Sequence, residues 1–217
     1  MPDAVIVRPY VLGDRVSVRA IACETADRGG PVERFFPDRD VFADLVTRYY
    51  TDDEPQSTWV AESDGQLVGY VTGCLDTRRY WRRMAWRIVP RAVATAAVRG
   101  VFGARQTWRL LGGGLRACLC GGWRKCLVPT AYAAHLHVNV RRDFRGQAVG
   151  RRLVERFFDS ARAAGVRGIH LGVRENNRSA CRFFERLGFA LLSRHPAFWW
   201  DEAGDHAGCT RVYGKQL

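Results

Sequence analysis

The chain has 217 residues, 47% hydrophobic and 26% charged, which suits one globular domain with a sizeable core and excludes a disordered chain. Its formal charge of +12 is unevenly placed: between Thr77 and Arg142 there are fourteen Arg or Lys and no Asp or Glu, leaving −2 on the remainder. That distribution argues for one basic element with a local job and against a uniformly basic, sequence-specific nucleic-acid binder.

The opening MPDAVIVRPY has an early acid, no basic n-region and a short apolar run before Pro9. It does not read as a secretory leader, and a cytoplasmic location is expected. VIVRPY (5–10) reads as a strand. In GDRVSVRAIACETA, Val16, Ala20 and Ile21 fall near helical spacing. DRDVFADLVTRYY (38–50) is a second helix, with Val41, Leu45, Val46 and Tyr49 on one face and Asp38 or Asp40 as the cap; TDDEP is expected to break it. STWVAESDGQLVGYVTGCL (57–75) is a hairpin turning at Ser63, Asp64 and Gly65.

Residues 77–128 form a basic helical insertion, read as helix up to Pro90 and again after it. Arg79, Arg83, Arg87 and Arg91 recur every four residues, while Trp81, Met84, Ala85 and Ile88 share another sector. Arginines interrupt every apolar run before the roughly 18 to 20 residues that a membrane span needs. The preferred reading packs the tryptophans on the domain with the arginines in water; contact with an anionic membrane surface is the less favoured one. Seven cysteines in a chain of this size are expected as free thiols. Cys118, Cys120 and Cys126 with His135 or His137 follow no paired zinc spacing, so no metal is expected.

From Ala131 the pattern becomes strand, helix, strand, helix, strand: AYAAHLHVNV, GRRLVERFFDSARAAG, VRGIHLGV, NRSACRFFERLG and FALLS. The first three form a βαβ unit with parallel pairing. TRVYGKQL reads as a closing strand. Between strand and helix lies RDFRGQAVGRRL (142–153), where a helix starting near Gln147 or Ala148 leaves the amides of Arg145 to Arg151 without intrahelical partners. Such a terminus attracts anions. Gly146 and Gly150 keep the backbone bare, and Arg145, Arg151 and Arg152 add positive charge.

R-G-Q-A-V-G at 145–150, in this setting, resembles the acetyl-CoA signature R-x-x-G-x-G/A of the GNAT superfamily of N-acetyltransferases. N-R-S-A-C-R-F-F-E-R-L-G-F (177–189) resembles that family's N-x-x-A-x-x-x-Y-E-K-L-G-F. The likeness covers essentially the chain apart from 77–128, an insertion that also resembles the acetyltransferase-like domain attached to some O-GlcNAc hydrolases and its free-standing bacterial relatives. The resemblance implies a mixed α/β fold in a single domain: a twisted, mostly antiparallel sheet, a parallel fourth and fifth strand that splay apart, helices on both faces, and the extra helices between the third and fourth strands. It implies acetyl-CoA as co-substrate, with pantetheine on Val138, Asn139 and Val140. Pyrophosphate falls on the turn Arg145, Gly146, Gln147, Ala148, Val149, Gly150 and Arg151, and further contacts on Asn177, Ala180 and Phe184.

Two positions depart from the family pattern. Ala148 stands where the signature has glycine, which matters only if the backbone there needs a positive φ. Phe184 stands where many members have a tyrosine that protonates the departing thiolate, and Cys181 or Tyr132 are weak substitutes. The alternative reading is therefore a catalytically weak CoA-binding or protein-interaction module.

Direct attack needs an uncharged amine, hence a base or water relay. Alternation puts His135, His137 and Asn139 on one face of the fourth strand, and His170 and Arg174 on one face of the fifth. His137 is the catalytic candidate, with His170 close if the register allows; Glu175 and Asp143 are expected to serve the surface. The acceptor is an amine, of a small molecule, a peptide or a protein, entering past the first helices, the insertion and a wall of Phe198, Trp199, Trp200, Asp201 and Glu202.

Overall fold

The computed structural model describes residues 5–121, 130–196 and 209–217. In chain order the elements are β1 (Ile6–Pro9), α1 (Arg15–Glu24), α2 (Arg39–Arg48), β2 (Thr58–Ser63), β3 (Gln66–Cys74), α3 (Thr77–Arg83), α4 (Val89–Val98), α5 (Arg105–Leu119), β4 (Ala134–Val140), α6 (Val149–Ala163), β5 (Gly168–Arg174), α7 (Arg178–Arg186), β6 (Ala190–Pro196) and β7 (Cys209–Gln216). The strands make one sheet in the order β1-β2-β3-β4-β5-β7-β6. Every neighbouring pair is antiparallel except β4 with β5.

That parallel pair is short. It holds Ala134 against Ile169 and His135 against His170, while β4 stays in register with β3 from His135 opposite Cys74 to Val140 opposite Gly69. Beyond His135 the two strands part, as the resemblance implied.

One face of the sheet carries α6, whose Val149, Leu153, Val154, Phe157, Phe158 and Ala161 are buried at helical spacing. They share a core with Leu136, Ile169, Leu171 and Phe184. The helix sits very close to β3: a Cβ on Gly73 would lie 1.8 Å from the Phe157 ring, so a side chain at 73 is excluded unless α6 moves. At the hairpin, Asp64 and Gly65 both have positive φ, the geometry a two-residue turn between twisted strands requires.

The opposite face carries α1 and α2. In α1 the buried residues are Val18, Ile21, Ala22 and Cys23; Val16, expected inward, is exposed. Asp38 caps α2 by accepting the Val41 amide at 2.9 Å. TDDEP ends this helix as expected, after a wider, π-type turn has carried it through Tyr49–Asp53; Glu54 leaves the helical region and Pro55 begins a separate turn. Widening adds a residue to the turn, and it buries two consecutive tyrosines, Tyr49 and Tyr50, instead of one.

In the insertion, α3, a second π-type turn at Met84–Ile88 and α4 follow without a break. Pro90 therefore does not interrupt the helix, because the widened turn before it accommodates the missing N–H and the bulk of the ring. Met84, Ile88, Ala92 and Ala96 are its buried row. The tryptophans are not packed as expected. Trp81 is exposed, Trp86 is 86% exposed and Trp108 61%; the buried row is taken by smaller side chains that let the helix approach α2 closely. Among the described residues, no helix is long and apolar enough to cross a membrane.

Candidate active site

The turn leading into α6 brings together the residues expected to meet an anion. The helix begins at Val149, slightly later than the sequence reading had it, with Ala148 at its N-cap in the left-handed region at φ 58°. The condition attached to Ala148 is thus met: this backbone does need a positive φ, which costs an alanine about 1 kcal/mol relative to glycine. Gly146 is left-handed too, at φ 79°, and a Cβ there would meet nothing within 4 Å. Arg152 N–H reaches back to the Ala148 carbonyl at 3.0 Å, so the amides of Val149, Gly150 and Arg151 belong to the unpaired first turn and point out of the helix end. A Cβ on Gly150 would touch Phe183 at 3.4 Å and Val140 at 3.7 Å, which seats the helix end against the tip of β4.

The main chain of β4 supplies the other half. Arg141 N–H donates to the Val68 carbonyl on β3 at 2.8 Å. By the alternation of a strand, the main-chain groups of Asn139 and His137 also face β3, while those of Val138 and Val140 face the opening toward β5. Asn139, expected with them, turns its side chain away as well, donating through Nδ2 to the Thr25 hydroxyl at the end of α1. Arg145 closes the near edge: its Nε donates to the Val140 carbonyl at 2.9 Å and its guanidinium lies against Gly29. The other arginines of the turn are engaged outside it, Arg151 with Glu155 at 2.7 Å and Arg152 with the Val5 carbonyl at 2.8 Å. Gln147 reaches the Asp143 carbonyl.

Across the opening, α7 begins at Asn177, whose Oδ1 accepts from the Ala180 amide at 3.2 Å and from the Ser179 hydroxyl. Phe184 is buried edge-on between Phe183 and Phe189 and has no proton to give. Neither substitute is placed to replace it. Cys181 is buried with Sγ against the Arg174 carbonyl, and the Tyr132 ring packs over Gly214. Glu175 is held by Arg194 and Arg211, in keeping with a surface role.

On the α1/α2 side of the sheet, three histidines meet where β4 and β5 part. His135 lies directly opposite His170, with ring centroids 5.6 Å apart, and His137 is 5.9 Å from His135. The first two are anchored. The Thr77 hydroxyl donates to the Ala133 carbonyl at 2.7 Å, so it accepts from His135 Nδ1 at 2.8 Å, which leaves Nε2 to accept from the Tyr50 hydroxyl at 2.8 Å. His135 is thereby a neutral, fully bonded core residue. His170 donates from Nδ1 to the Tyr132 carbonyl at 2.8 Å, so in its neutral form the lone pair is on Nε2.

His137 differs from both. It is exposed, makes no side-chain hydrogen bond among the described residues, and lies edge-on to Tyr50 at 5.8 Å. Desolvation, with His170 adding to it, pushes its pKa down to about 4, and the accessible edge of the ring limits how much of that shift survives in water. Burial lowers His135 and His170 as well. All three are neutral at neutral pH. Opposite His137 on β3 is Thr72, a buried residue whose hydroxyl has no partner among the described residues.

Sequence reasoning missed Tyr50 and Tyr80. Tyr80 stacks on Tyr50 at 5.7 Å and 26° and lies 4.7 Å from the His135 ring, so the insertion contributes directly to this wall. One signal was available: Asp76 before TRRYW is a helix cap, accepting from the Arg78 and Arg79 amides, and it fixes Tyr80 in the first turns of α3. The aromatic wall expected at 198–202 lies outside the described residues, as does Cys126 of the rejected zinc pattern.

Known proteins share this fold. A family model described as the acetyltransferase (GNAT) family matches residues 24–189. Among solved structures, that of SsHAT superposes with a TM-score of 0.74 at 25% identity, covering 99% of this chain and 98% of the other. A Drosophila melanogaster polyamine N-acetyltransferase, which forms N-acetylagmatine, gives a TM-score of 0.62 at 16% identity over 99% and 100% of the chains. YncA of Salmonella typhimurium, a putative acetyltransferase solved with acetyl-CoA, gives 0.59 at 17% identity over 99% and 95%. With a matched model spanning most of its length, the splayed parallel pair and the bare turn before α6, the chain belongs to the GNAT acetyltransferase family and is an acyltransferase that uses acetyl-CoA.

Proposed function

We propose that the opening between β4 and β5 holds acetyl-CoA and that the acetyl group passes to an amine by direct attack within a ternary complex. The observation that carries this reading is the end of the parallel pair at His135 and His170. It leaves the main-chain groups of Val138 and the amide of Val140 facing the opening beside the amides of the α6 terminus, with the Val140 carbonyl held by Arg145. Pantetheine adds to β4 as a strand edge would, through Val138 and Val140, and the pyrophosphate lies on the amides from Gly146 to Arg151 with Arg145 beside it. Asn177, Ala180 and Phe184 on α7 line the far wall toward the thioester; Asn139 braces β4 against α1.

The thioester then lies close to where the strands part, next to His137. The amine nitrogen attacks the carbonyl carbon, the carbon–sulfur bond breaks, and the electron pair leaves on sulfur. His137 takes the ammonium proton, directly or through a water also bonded to the Thr72 hydroxyl. With Phe184 in place of a tyrosine, the thiolate leaves without a side-chain acid. A thiol of ordinary pKa, about 8.5, is a good enough leaving group to do so near neutral pH. The acceptor, a small amine, a lysine or a protein N-terminus, enters from the side of Tyr50 and Tyr80.

Two measurements test this reading. Acetyl-CoA in excess should raise the melting temperature, since a ligand that binds only the folded state stabilises it by mass action; no shift at millimolar acetyl-CoA overturns the cofactor site. Thiol release is then followed over a panel of polyamines, aminoglycosides and peptides. Acetylated product without a detectable acetyl-enzyme supports direct attack, and a trapped acetyl-enzyme overturns it.

A further inference from the structure

The insertion carries a surface that the acetyl-transfer reading does not use. On α5, Trp108, Leu111, Leu115 and Leu119 are spaced at i, i+3, i+7 and i+11 and lie on one side of the helix. The leucines are 48%, 64% and 80% exposed. The side of α5 that packs inward is a different one, built from Thr107 and Leu110. Arg105, Arg109 and Arg116 run alongside the apolar row, and all three are exposed. The α3–α4 helix repeats the design with Trp86, Val89 and Val93 exposed at i, i+3 and i+7 beside exposed Arg79, Arg82 and Arg91.

We propose that α4 and α5 dock on an anionic lipid surface, with the leucine and tryptophan rows entering the headgroup boundary and the arginines meeting lipid phosphates. The chemistry selects this occupant. Helices lying in a bilayer interface combine an apolar row, flanking arginines and tryptophan at the boundary, and from Thr77 to Arg142 there is no acid to repel an anionic surface. A nucleic acid would engage the arginines but offers leucines nothing. A second copy of the chain, docked symmetrically, would set arginine row against arginine row.

The test is co-sedimentation of the full chain with vesicles of phosphatidylcholine alone or with one third phosphatidylglycerol, at low and high salt, with tryptophan emission recorded. The anionic vesicles should bind about tenfold or more tightly than neutral ones, with a blue shift and a loss at high salt. Leu111→Glu with Leu115→Glu should lower binding by about tenfold or more while leaving the acetyl-CoA thermal shift intact, since both side chains are exposed. Arg105→Gln with Arg116→Gln should weaken the salt dependence, since four of the six flanking arginines remain. Equal binding to both vesicle types, or a Leu double variant that binds as wild type does, overturns the proposal. So does a Leu double variant whose only change is loss of self-association in sedimentation equilibrium, or binding of duplex DNA that displaces the vesicles without involving the leucines.

Discussion

On the proposed cofactor side of the β4–β5 opening, the candidate groups are main-chain atoms from one continuous stretch, Val138 to Arg151. On the proposed acceptor side they are side chains from four separate segments: Tyr50 after α2, Tyr80 in α3, His135 and His137 on β4, and His170 on β5. The first is specified by where backbone can go, so glycine placement controls it. The second is specified by which residues tertiary packing brings together, so it tolerates different segments supplying its walls. On the proposed function, that contrast would let the 77–128 insertion add Tyr80 to the acceptor wall without disturbing the turn before α6.

If the two sides are separable, variants on each should move different constants. The largest effect is expected from Gly146→Asp. It strains a left-handed position and sets a carboxylate against phosphate, so acetyl-CoA affinity should fall about 100-fold or more by calorimetry. The melting temperature without ligand should change by only a few degrees. Next, His137→Ala should lower kcat about 10- to 100-fold with the KM for acetyl-CoA unchanged; a change in KM alone would place His137 on the wrong side of the comparison. Because its pKa is pushed down, the wild-type rate should show no acidic limb near 6.5 from this residue.

Tyr50→Phe comes third. It leaves His135 Nε2 buried without a donor, at a cost of about 1 to 3 kcal/mol in denaturant unfolding, and acetyl-CoA affinity should stay the same. The histidines also set a pH dependence of stability. All three have folded pKa values below the ordinary 6.5, so below 6.5 the unfolded chain binds more protons and stability should fall as pH drops from 6.5 toward 4. His135→Gln should flatten that part of a melting-temperature profile; an unchanged slope would show that the cluster is not its source. The smallest effect is on the cofactor side, where Ala148→Gly removes left-handed strain. It should raise the melting temperature by about 1 to 3 °C, since the gain is partly offset by the entropy of an unfolded glycine.

The sequence was most readable where local physics acts alone. The 57–75 hairpin, the capped α2 and the strand, bare turn and helix at 134–163 all form as their residues dictate, because turn chemistry, caps and periodicity need no distant partner. Two local rules gave the wrong answer where tertiary contacts outweighed them. Pro90 would end an isolated helix, but a π-type turn before it carries the helix on, stabilised by burial of Met84 and Ile88. The tryptophans of the insertion were expected inward because large aromatics usually are; smaller residues took that row, and the described ones, Trp81, Trp86 and Trp108, are exposed.

By itself, then, the sequence determined the α/β fold, the position of the bare turn before α6 and the presence of histidines on the strand beside it, since each depends on residues within one or two turns of chain. Only the tertiary structure decided where β4 and β5 part, that His135 is a bonded core residue while His137 is the accessible one, and that Tyr50 and Tyr80 stand against them. Register between strands and packing between helices are set by long-range burial, and no local pattern encodes them.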